Sequence, residues 1–515
     1  MKLLADLIFD SPPLSLFFTI VSLFLLYTFT KKNYSRNNTH LPPHPPKLPF
    51  VGNLFQIGSL PHQSLNSLSL KYGPLMLVYL GETPYLIVSS SDMAEAVMRT
   101  YDLNFASRPP SAASDILLAG DMAFGPYGRI WRQMRKICTT HLLSSKNIHS
   151  YKTMKEEEIG YMMQEIKNQA SLSNGVAVDM SKILYSFANN IICRVVSGKC
   201  FRDEGRSDLF RELIEENVAI LGAFSISDLF PSLACMEGIF GLSGKSKKHK
   251  IRWDKLLDEM IELHVQRRVC GQDSDIHEDF VDVLLSLEKD PEIGSNLRME
   301  NIKGLLLDMF AAGTDTTYIA LEWAMSELVK NPNIMTKLQY EVRRMVGQNK
   351  MVTLKEATKM PYLQAVVKET LRLHPPGPLL LPRQSMEECN INGYTIPKGI
   401  RVLVNFWAIG RETKSWETPY EFKPERFIGS EVDYKGTDFQ FIPFGAGRRI
   451  CPGMNFAAST VELALANLIH QFDWELPYGM TADDFDMKEA SGLTTRKKEA
   501  LRLIPSVKLQ LMDKF

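Results

Sequence analysis

Cys451 is the residue in this chain best placed to act as a tuned thiolate. The stretch Phe441-Ile442-Pro443-Phe444-Gly445-Ala446-Gly447-Arg448-Arg449-Ile450-Cys451-Pro452-Gly453 surrounds it with three glycines. Glycine lets backbone approach a ligand closely and adopts φ values closed to other residues. A thiolate that ligates haem iron needs amide N–H groups aimed at its sulfur, which stabilise the charge and set the potential. A glycine-rich turn running into a helix offers those donors, and the helix N-terminus adds a favourable dipole. Phe444 can shield the sulfur from water, and Arg449 can reach an anionic haem propionate. Two plainer readings compete. A dinucleotide loop fails, because Gly445-x-Gly447 lacks the third glycine and no acidic ribose partner occurs about twenty residues on. A free buried thiol is the reading for the other six cysteines: Cys138, Cys193, Cys200, Cys235, Cys270 and Cys389.

Three other constellations could do chemistry or hold it in place. Glu369 and Arg372 stand at i, i+3 and so share a helix face, among Leu363, Val366, Val367 and Thr370, with Pro375-Pro376 ending the helix. Such a pair is usually a solvated surface bridge, but here little polar face is left for one. Trp131 and Arg135 share a face at i, i+4. Packing of the arginine stem is their plain reading. Inside a long helical pattern lies Phe310-Ala311-Ala312-Gly313-Thr314-Asp315-Thr316-Thr317. This is poor helix-interior chemistry, with Gly alone costing about 1 kcal/mol, and such violations point to function. Hydroxyls bonding back to i−4 carbonyls open a helix locally and make room for oxygen and water. A simple kink with satisfied hydroxyls is the alternative.

Phe444, Gly447, Arg449, Cys451 and Gly453 satisfy F-x-x-G-x-R-x-C-x-G, and on these residues the chain resembles the cytochrome P-450 family. Phe422-Lys423-Pro424-Glu425-Arg426-Phe427 is similar to that family's P-E-R-F element, Trp131 and Arg135 to its W-x-x-x-R, and residues 311–317 to its A-G-x-D-T-T. The cysteine loop looks like that of the plant A-type group of specialised metabolism. The resemblance implies a mainly α fold with small β-sheets and a haem b cofactor with Cys451 as axial iron ligand. It also implies a buried triad of Glu369, Arg372 and Arg426, and propionate contacts from Trp131, Arg135 and Arg383. Asp315 and Thr316 would relay protons to dioxygen so that its O–O bond cleaves heterolytically.

The partners implied are a separate NADPH–cytochrome P-450 reductase, dioxygen, a small apolar substrate and a membrane. One oxygen atom goes to substrate and one to water. The chain carries no flavin or nicotinamide motif of its own, which suits an external electron donor. By the same resemblance the pocket draws on residues 111–124, 221–230, 309–313, 377–381 and 492–494, made apolar by Phe124, Phe224, Phe310 and Leu379 to Leu381. A terpenoid, an alkaloid or a phenolic would fit, with hydroxylation and oxidative cyclisation or coupling both open. Two rivals are an isomerase or lyase of P-450 type, against which the intact Asp315-Thr316 pair argues, and a non-catalytic haem-binding sensor, which has no use for a proton relay.

The elements that must position these residues are mostly helical. Periodicity predicts helices over residues 150–168, 208–221, 253–268, 299–330, 334–346 and 362–373. A hairpin is expected over 75–89, with a second sheet region over 389–405. No internal repeat or long polar linker divides the body. Lys+Arg and Asp+Glu both number 59, so no basic excess recommends a nucleic-acid partner.

The N-terminus differs from the rest. Residues 14–30 form an uncharged apolar and hydroxyl run, roughly 26 Å long as a helix against a hydrocarbon core of about 30 Å. Asp6 and Asp10 precede it, whereas Lys31, Lys32 and Arg36 lie just beyond it, a bias that puts the main body of the chain in the cytosol. A cleaved signal peptide is the rival, but it would want a basic start and an A-x-A-like site. The expected organisation is a signal anchor over 1–30, a basic and proline-rich hinge over 31–50, and a haem-binding catalytic domain over 51–515. That puts the protein in the endoplasmic reticulum membrane on a single-pass anchor, its catalytic domain facing the cytosol. Seven scattered cysteines without CxxC spacing agree with a reducing compartment.

Overall fold

The computed structural model describes residues 22, 40–118, 120–173, 176–199, 207–269, 278–291, 297–346, 350–477 and 479–507. In chain order its main elements are α1 (Pro61–Tyr72), β1 (Leu75–Leu80), β2 (Thr83–Val88), α2 (Arg129–Ile137), α3 (Lys152–Ser173), β3 (Val178–Asp179), α4 (Met180–Ser197), α5 (Ser207–Gly222), α6 (Ser243–Val269), α7 (Phe280–Glu288), α8 (Met299–Lys330), α9 (Pro332–Val346), α10 (Pro361–Leu373), β4 (Arg383–Gln384), β5 (Cys389–Ile391), β6 (Tyr394–Ile396), β7 (Arg401–Val404), α11 (Met454–Gln471), β8 (Phe472–Glu475) and β9 (Arg502–Val507). The chain is therefore mainly helical with small sheets. Contacts divide it into two units, one made of 1–42 with 388–397 and the other of 43–387 with 398–515. In the smaller unit β5 and β6 pair antiparallel, and the Thr395 N–H donates to the His40 carbonyl at 2.7 Å.

Within the larger unit, local sequence explains where helices start and stop. The Asp179 carboxylate caps α4 by accepting the Lys182 N–H at 3.0 Å, and Gly198 ends that helix at φ 64°. Proline opens α10, and the helix stops at His374 just before Pro375-Pro376. Periodicity missed α4 because it is buried nearly all round, with Asn189, Asn190 and Ser197 inside beside the apolar residues, so its polar positions do not mark an outer face. It also started α6 ten residues late, at 253 and not at Ser243. The lysine-rich first turns hide a face on which Ser246 and His249 are buried.

The long α8 packs against α4, α10 and α11. A Cβ at Gly313 would meet Ile192 Cδ1 of α4 at 2.5 Å, so the glycine sets how closely the two helices approach. The expected local opening of this helix is not seen. Helix α8 runs unbroken over 32 residues, and the Thr316 hydroxyl donates to the Ala312 carbonyl at 2.7 Å without displacing the backbone ladder.

The main sheet has strand order β1-β2-β7-β4. Strands β1 and β2 form the expected hairpin, from Leu75 opposite Val88 to Leu80 opposite Thr83, turning at Gly81 with φ 64°. The second expected sheet region is split. Its β7 portion pairs parallel to β2, with Tyr85 opposite Arg401, while β5 and β6 form their own two-stranded sheet. A further sheet has order β3-β9-β8.

From Pro43 onward the proline-rich stretch bonds to the larger unit. The Pro43 carbonyl accepts the Leu77 N–H of β1 at 2.9 Å, Asn53 donates to the Pro46 carbonyl at 3.0 Å, and Lys47 lies 3.1 Å from the Tyr79 ring centroid. Prolines withhold donors but keep their carbonyls, which serve the open edge of β1. The span expected over 14–30 lies outside the described residues, apart from residue 22. Among the described residues, no helix is long and apolar enough to cross a membrane.

Candidate functional site

Cys451 lies just before α11, where its Sγ accepts the backbone N–H groups of Gly453 and Met454. Burial pushes the thiol pKa up; those two amides and the nearby Arg135 guanidinium pull it down. The loop that delivers it depends on close backbone approach. A Cβ at Gly447, at φ 67°, would fall 2.3 Å from Asp102 Oδ1 and 2.4 Å from the Met98 carbonyl oxygen. The Asp102 carboxylate takes the Arg448 N–H at 3.1 Å, tying the loop to the segment after β2. Phe444 packs edge-on against Tyr434, with centroids 5.4 Å apart, and lines the cavity with the sulfur.

That cavity, about 360 Å³, has Cys451 on one side and Ala312, Asp315 and Thr316 of α8 on another. Beside it gather four arginines, Arg108, Arg135, Arg383 and Arg449. Arg449 donates to the carbonyls of Ala106, Met122 and Gly125 at 2.7, 3.2 and 2.6 Å, with its guanidinium 4.1 Å from the Trp131 ring centroid. Arg383 donates to Phe105 and Ala446 carbonyls at 3.4 and 2.9 Å. Arg108 donates to Ala123, Leu381 and Pro382 carbonyls at 2.9, 2.9 and 2.8 Å. Burial pushes Arg449 down to about 9 and Arg383 down to about 10, and it lowers Arg108, whose neighbours Arg449 and Arg383 lower it further. These cations are bonded mostly to neutral carbonyls; Asp102, the nearest carboxylate to Arg383, is 3.9 Å away. A buried surplus of positive charge next to an amide-cradled sulfur fits a planar ligand carrying two carboxylates, which is what haem is. Trp131 lines the same wall. Its indole N–H donates to the Met122 carbonyl at 3.0 Å, because the loop carbonyl reaches it first.

On α8, burial pushes the Asp315 carboxyl up to about 6, opposed by the Thr494 hydroxyl and Arg496. One of its oxygens, Oδ2, is buried without a hydrogen-bond partner among the described residues. Behind the cavity, Glu369, Arg372 and Arg426 meet. Arg372 donates to both Glu369 oxygens at 2.7 and 2.8 Å, and Arg426 Nε donates to Oε1 at 3.0 Å.

The cavity wall uses four of the expected segments through Leu118 with Met122 to Phe124, Leu221, Met309 with Ala311 to Gly313, and Gly377 with Leu380 and Leu381; Leu493 and Thr494 supply the fifth. Three expected wall residues lie elsewhere. Phe310 points the other way from its helical neighbours, into Phe210 and Trp253 at 5.2 and 6.4 Å. Phe224 is exposed beside Tyr85, and Leu379 packs on the core of the main sheet. Sequence reasoning missed Arg108, Asp121, Asp308 and Asn217. Asn217 is 2% exposed, lines the cavity from α5, and has an Oδ1 without a hydrogen-bond partner among the described residues. A lone Asn in an apolar helical stripe was the signal available.

Of the other thiols, Cys138 and Cys193 are buried as expected, whereas Cys389 is half-buried and Cys235 exposed; Cys200 and Cys270 lie outside the described residues. His264, Asp279 and Asp282 come together, but Asp279 and Asp282 form the capping box of α7 with Arg267 and Arg268 alongside, which accounts for them without an ion.

A thiolate beneath an apolar chamber, flanked by a cationic wall and faced by a Thr-bearing helix, defines a haem-thiolate oxygenase site. The sequence matches the family described as Cytochrome P-450 over residues 42–511, and the chain belongs to that family. It is similar to cytochrome P-450 71A1 of Persea americana, 47% identical over 457 residues covering 88% of this chain and 91% of that one. Indole-2-monooxygenase of Zea mays is 48% identical over 475 residues, covering 90% and 87%. Desmethyl-deoxy-podophyllotoxin synthase of Sinopodophyllum hexandrum is 44% identical over 505 residues, covering 97% of each. Among solved structures, a zebrafish cytochrome P-450 with abiraterone superposes with TM-score 0.73 at 25% identity, covering 88% of this chain and all of that one. The protein is a cytochrome P-450 monooxygenase of the plant A-type, working with a haem, dioxygen, an organic substrate and a redox partner.

Proposed function

We propose that this enzyme oxidises a small, largely apolar plant specialised metabolite, a terpenoid, an alkaloid or a phenolic, by hydroxylation or by oxidative cyclisation or coupling. The observation that carries the reading is that Cys451 and the Asp315-Thr316 pair line one cavity whose wall is mostly carbon. Maize relatives are named for the monooxygenation of indole and of indolin-2-one. These names make a compact ring compound a natural member of the class. Haem b with Cys451 as its thiolate ligand supplies activation of dioxygen, using electrons from NADPH–cytochrome P-450 reductase.

The chain's own residues do the rest. Gly453 and Met454 amides favour the anionic form of the Cys451 sulfur against burial, and Arg135, Arg383 and Arg449 would hold the propionates, with Trp131 stacked under Arg449. Thr316 Oγ1, resting on the Ala312 carbonyl, turns to hand a proton into the cavity. Asp315, with its pKa near 6 and its contact to the Thr494 hydroxyl, replenishes that proton. Leu118, Phe124 and Leu381 keep bulk water out.

We further place residues 14–30 across the endoplasmic reticulum membrane with the catalytic body in the cytosol. Asn37-Asn38-Thr39 then stays unglycosylated on microsomes, and a glycosidase-sensitive mass shift lost in Asn37→Gln would reverse that topology. The function itself is tested by incubating reductase-coupled enzyme with a plant metabolite extract under heavy dioxygen. Products carrying one heavy oxygen atom are expected from hydroxylation, and NADPH-dependent loss of two hydrogens from cyclisation or coupling. Rearranged product formed without NADPH would instead mean an isomerase or lyase.

A further inference from the structure

We propose that Asp308 and Asp121 are positioning residues. Their hydrogen-bonded carboxyl groups clamp the loop 121–125 to α8 and, through the Met122 peptide, set Trp131, Arg449 and the cavity-facing Phe124. Asp308 Oδ2 accepts the N–H groups of Met122 and Ala123 at 2.8 and 3.3 Å. Asp121 Oδ2 accepts the Phe124 N–H at 2.8 Å. The Met122 carbonyl, on the same residue, receives both the Trp131 indole and Arg449 at 3.0 and 3.2 Å. One peptide thus connects α8 to the cationic wall.

Helix α8 is shaped to receive this loop. Asn301, Gly304 and Asp308 stand at i, i+3 and i+7, on one face. Asn301 Nδ2 donates to the Gly120 carbonyl at 3.3 Å, and a Cβ at Gly304 would lie 2.8 Å from the Asp121 amide nitrogen. Neither substitution-tolerant spacing nor a chance surface contact has this character.

The two carboxyl groups are hydrogen-bonded to each other. Carboxylates only accept, so the bond requires a shared proton. Arg108 and Arg449 face Asp121, and the Cys138 thiol faces Asp308. Burial pushes Asp121 up to about 7 despite both arginines. Burial and Asp121 push Asp308 well above its ordinary value too, so ionisation of Asp121 near 7 leaves one proton shared between the two groups, and the clamp is lost only at higher pH, when that last proton leaves and two like charges meet.

The test is amide hydrogen exchange of Met122, Ala123 and Phe124 in the haem-loaded full chain, expressed as protection over the intrinsic rate at each pH. Protection in the native protein should hold from about pH 6 to about pH 8, where one shared proton remains, and fall about tenfold above that range as the last proton leaves. Asp121→Asn supplies a donor that cannot ionise and should flatten that dependence. Asp308→Leu should lower protection of Met122 and Ala123 about ten- to a hundredfold at all pH values. Native-level protection in Asp308→Leu, or an undiminished pH dependence in Asp121→Asn, would overturn the proposal. If Asp308→Leu does not fold, the native pH series and Asp121→Asn decide alone. The inference uses the proposed site only to say what the loop positions; exchange is read without turnover, so its failure would leave the monooxygenase reading standing.

Discussion

Replacing Arg372 with alanine removes the centre of the buried charge network behind the cavity. Its guanidinium makes two hydrogen bonds to Glu369 and three to the carbonyls of Gly410, Pro419 and Glu421. Both members of the pair are fully buried. Hydrogen bonds to a charged group contribute about 1.5–3 kcal/mol each but do not add, and breaking a buried pair costs about 3–5 kcal/mol. Glu369 keeps Arg426 at 3.0 Å and the Lys423 N–H at 2.8 Å, so its charge is not wholly stranded. A loss of about 3–5 kcal/mol is expected, a large fraction of the roughly 5–15 kcal/mol that holds a domain folded. Haem content per purified chain and the melting temperature report it. Arg426→Ala, which gives up a single bond to Glu369, should cost less, and Arg372→Lys should fall between because the ammonium restores charge without the fork. Native haem content and melting in Arg372→Ala would refute the reasoning, as would a larger loss in Arg426→Ala.

Cys451→Ser should eliminate the thiolate-type absorbance of reduced, carbon monoxide-treated protein; persistence of that band would remove Cys451 from the axial position. Thr316→Ala should keep haem and ligand binding yet divert NADPH consumption to peroxide, since the Thr316 hydroxyl, bonded to the Ala312 carbonyl, lines the cavity on α8; unchanged coupling would assign proton delivery to water. Asp315 carries a pKa raised to about 6, so the folded state holds its proton longer than the unfolded one, and its contribution to stability falls as pH rises through about 6. Asp315→Asn should remove that slope between about pH 4 and about pH 6 in melting experiments, and an unaltered slope would place the titration elsewhere.

The catalytic end of the molecule was legible because its residues are bound by local spacing. The Cys451 loop, the Glu369–Arg372 pair and the Thr-rich turn of α8 each lie within a dozen positions, where period and side-chain chemistry can be read directly. Long-range partners were less accessible. Nothing local says that Asp308 receives loop amides from Met122 and Ala123, or that Arg108 joins the cationic wall, since those contacts depend on tertiary placement. Rotational phase caused the error at Phe310: its neighbours Met309 and Ala311 line the cavity, but a helix turns about 100° per residue and sends position 310 into the core. That the Trp131 indole meets the Met122 carbonyl was not legible either, because the position of that carbonyl is a property of the folded loop.

The contact of Gly313 with Ile192 has a bearing on how the chamber could be reshaped for other guests. A methyl group between the two helices there has to displace Ile192 Cδ1, the end of a side chain packed in the seam, so a change on this side is coupled to α4. Added volume for a bulkier guest is free of that coupling at other margins: Leu118 with Met122, Ala123 and Phe124, Asn217 and Leu221 at the end of α5, and Leu493 with Thr494. Those margins come from segments far apart in sequence and away from the Glu369 network, so each can vary without disturbing that brace. The molecule thus separates a stiff half, which fixes where oxidation happens, from a mutable half, which decides what is presented to it.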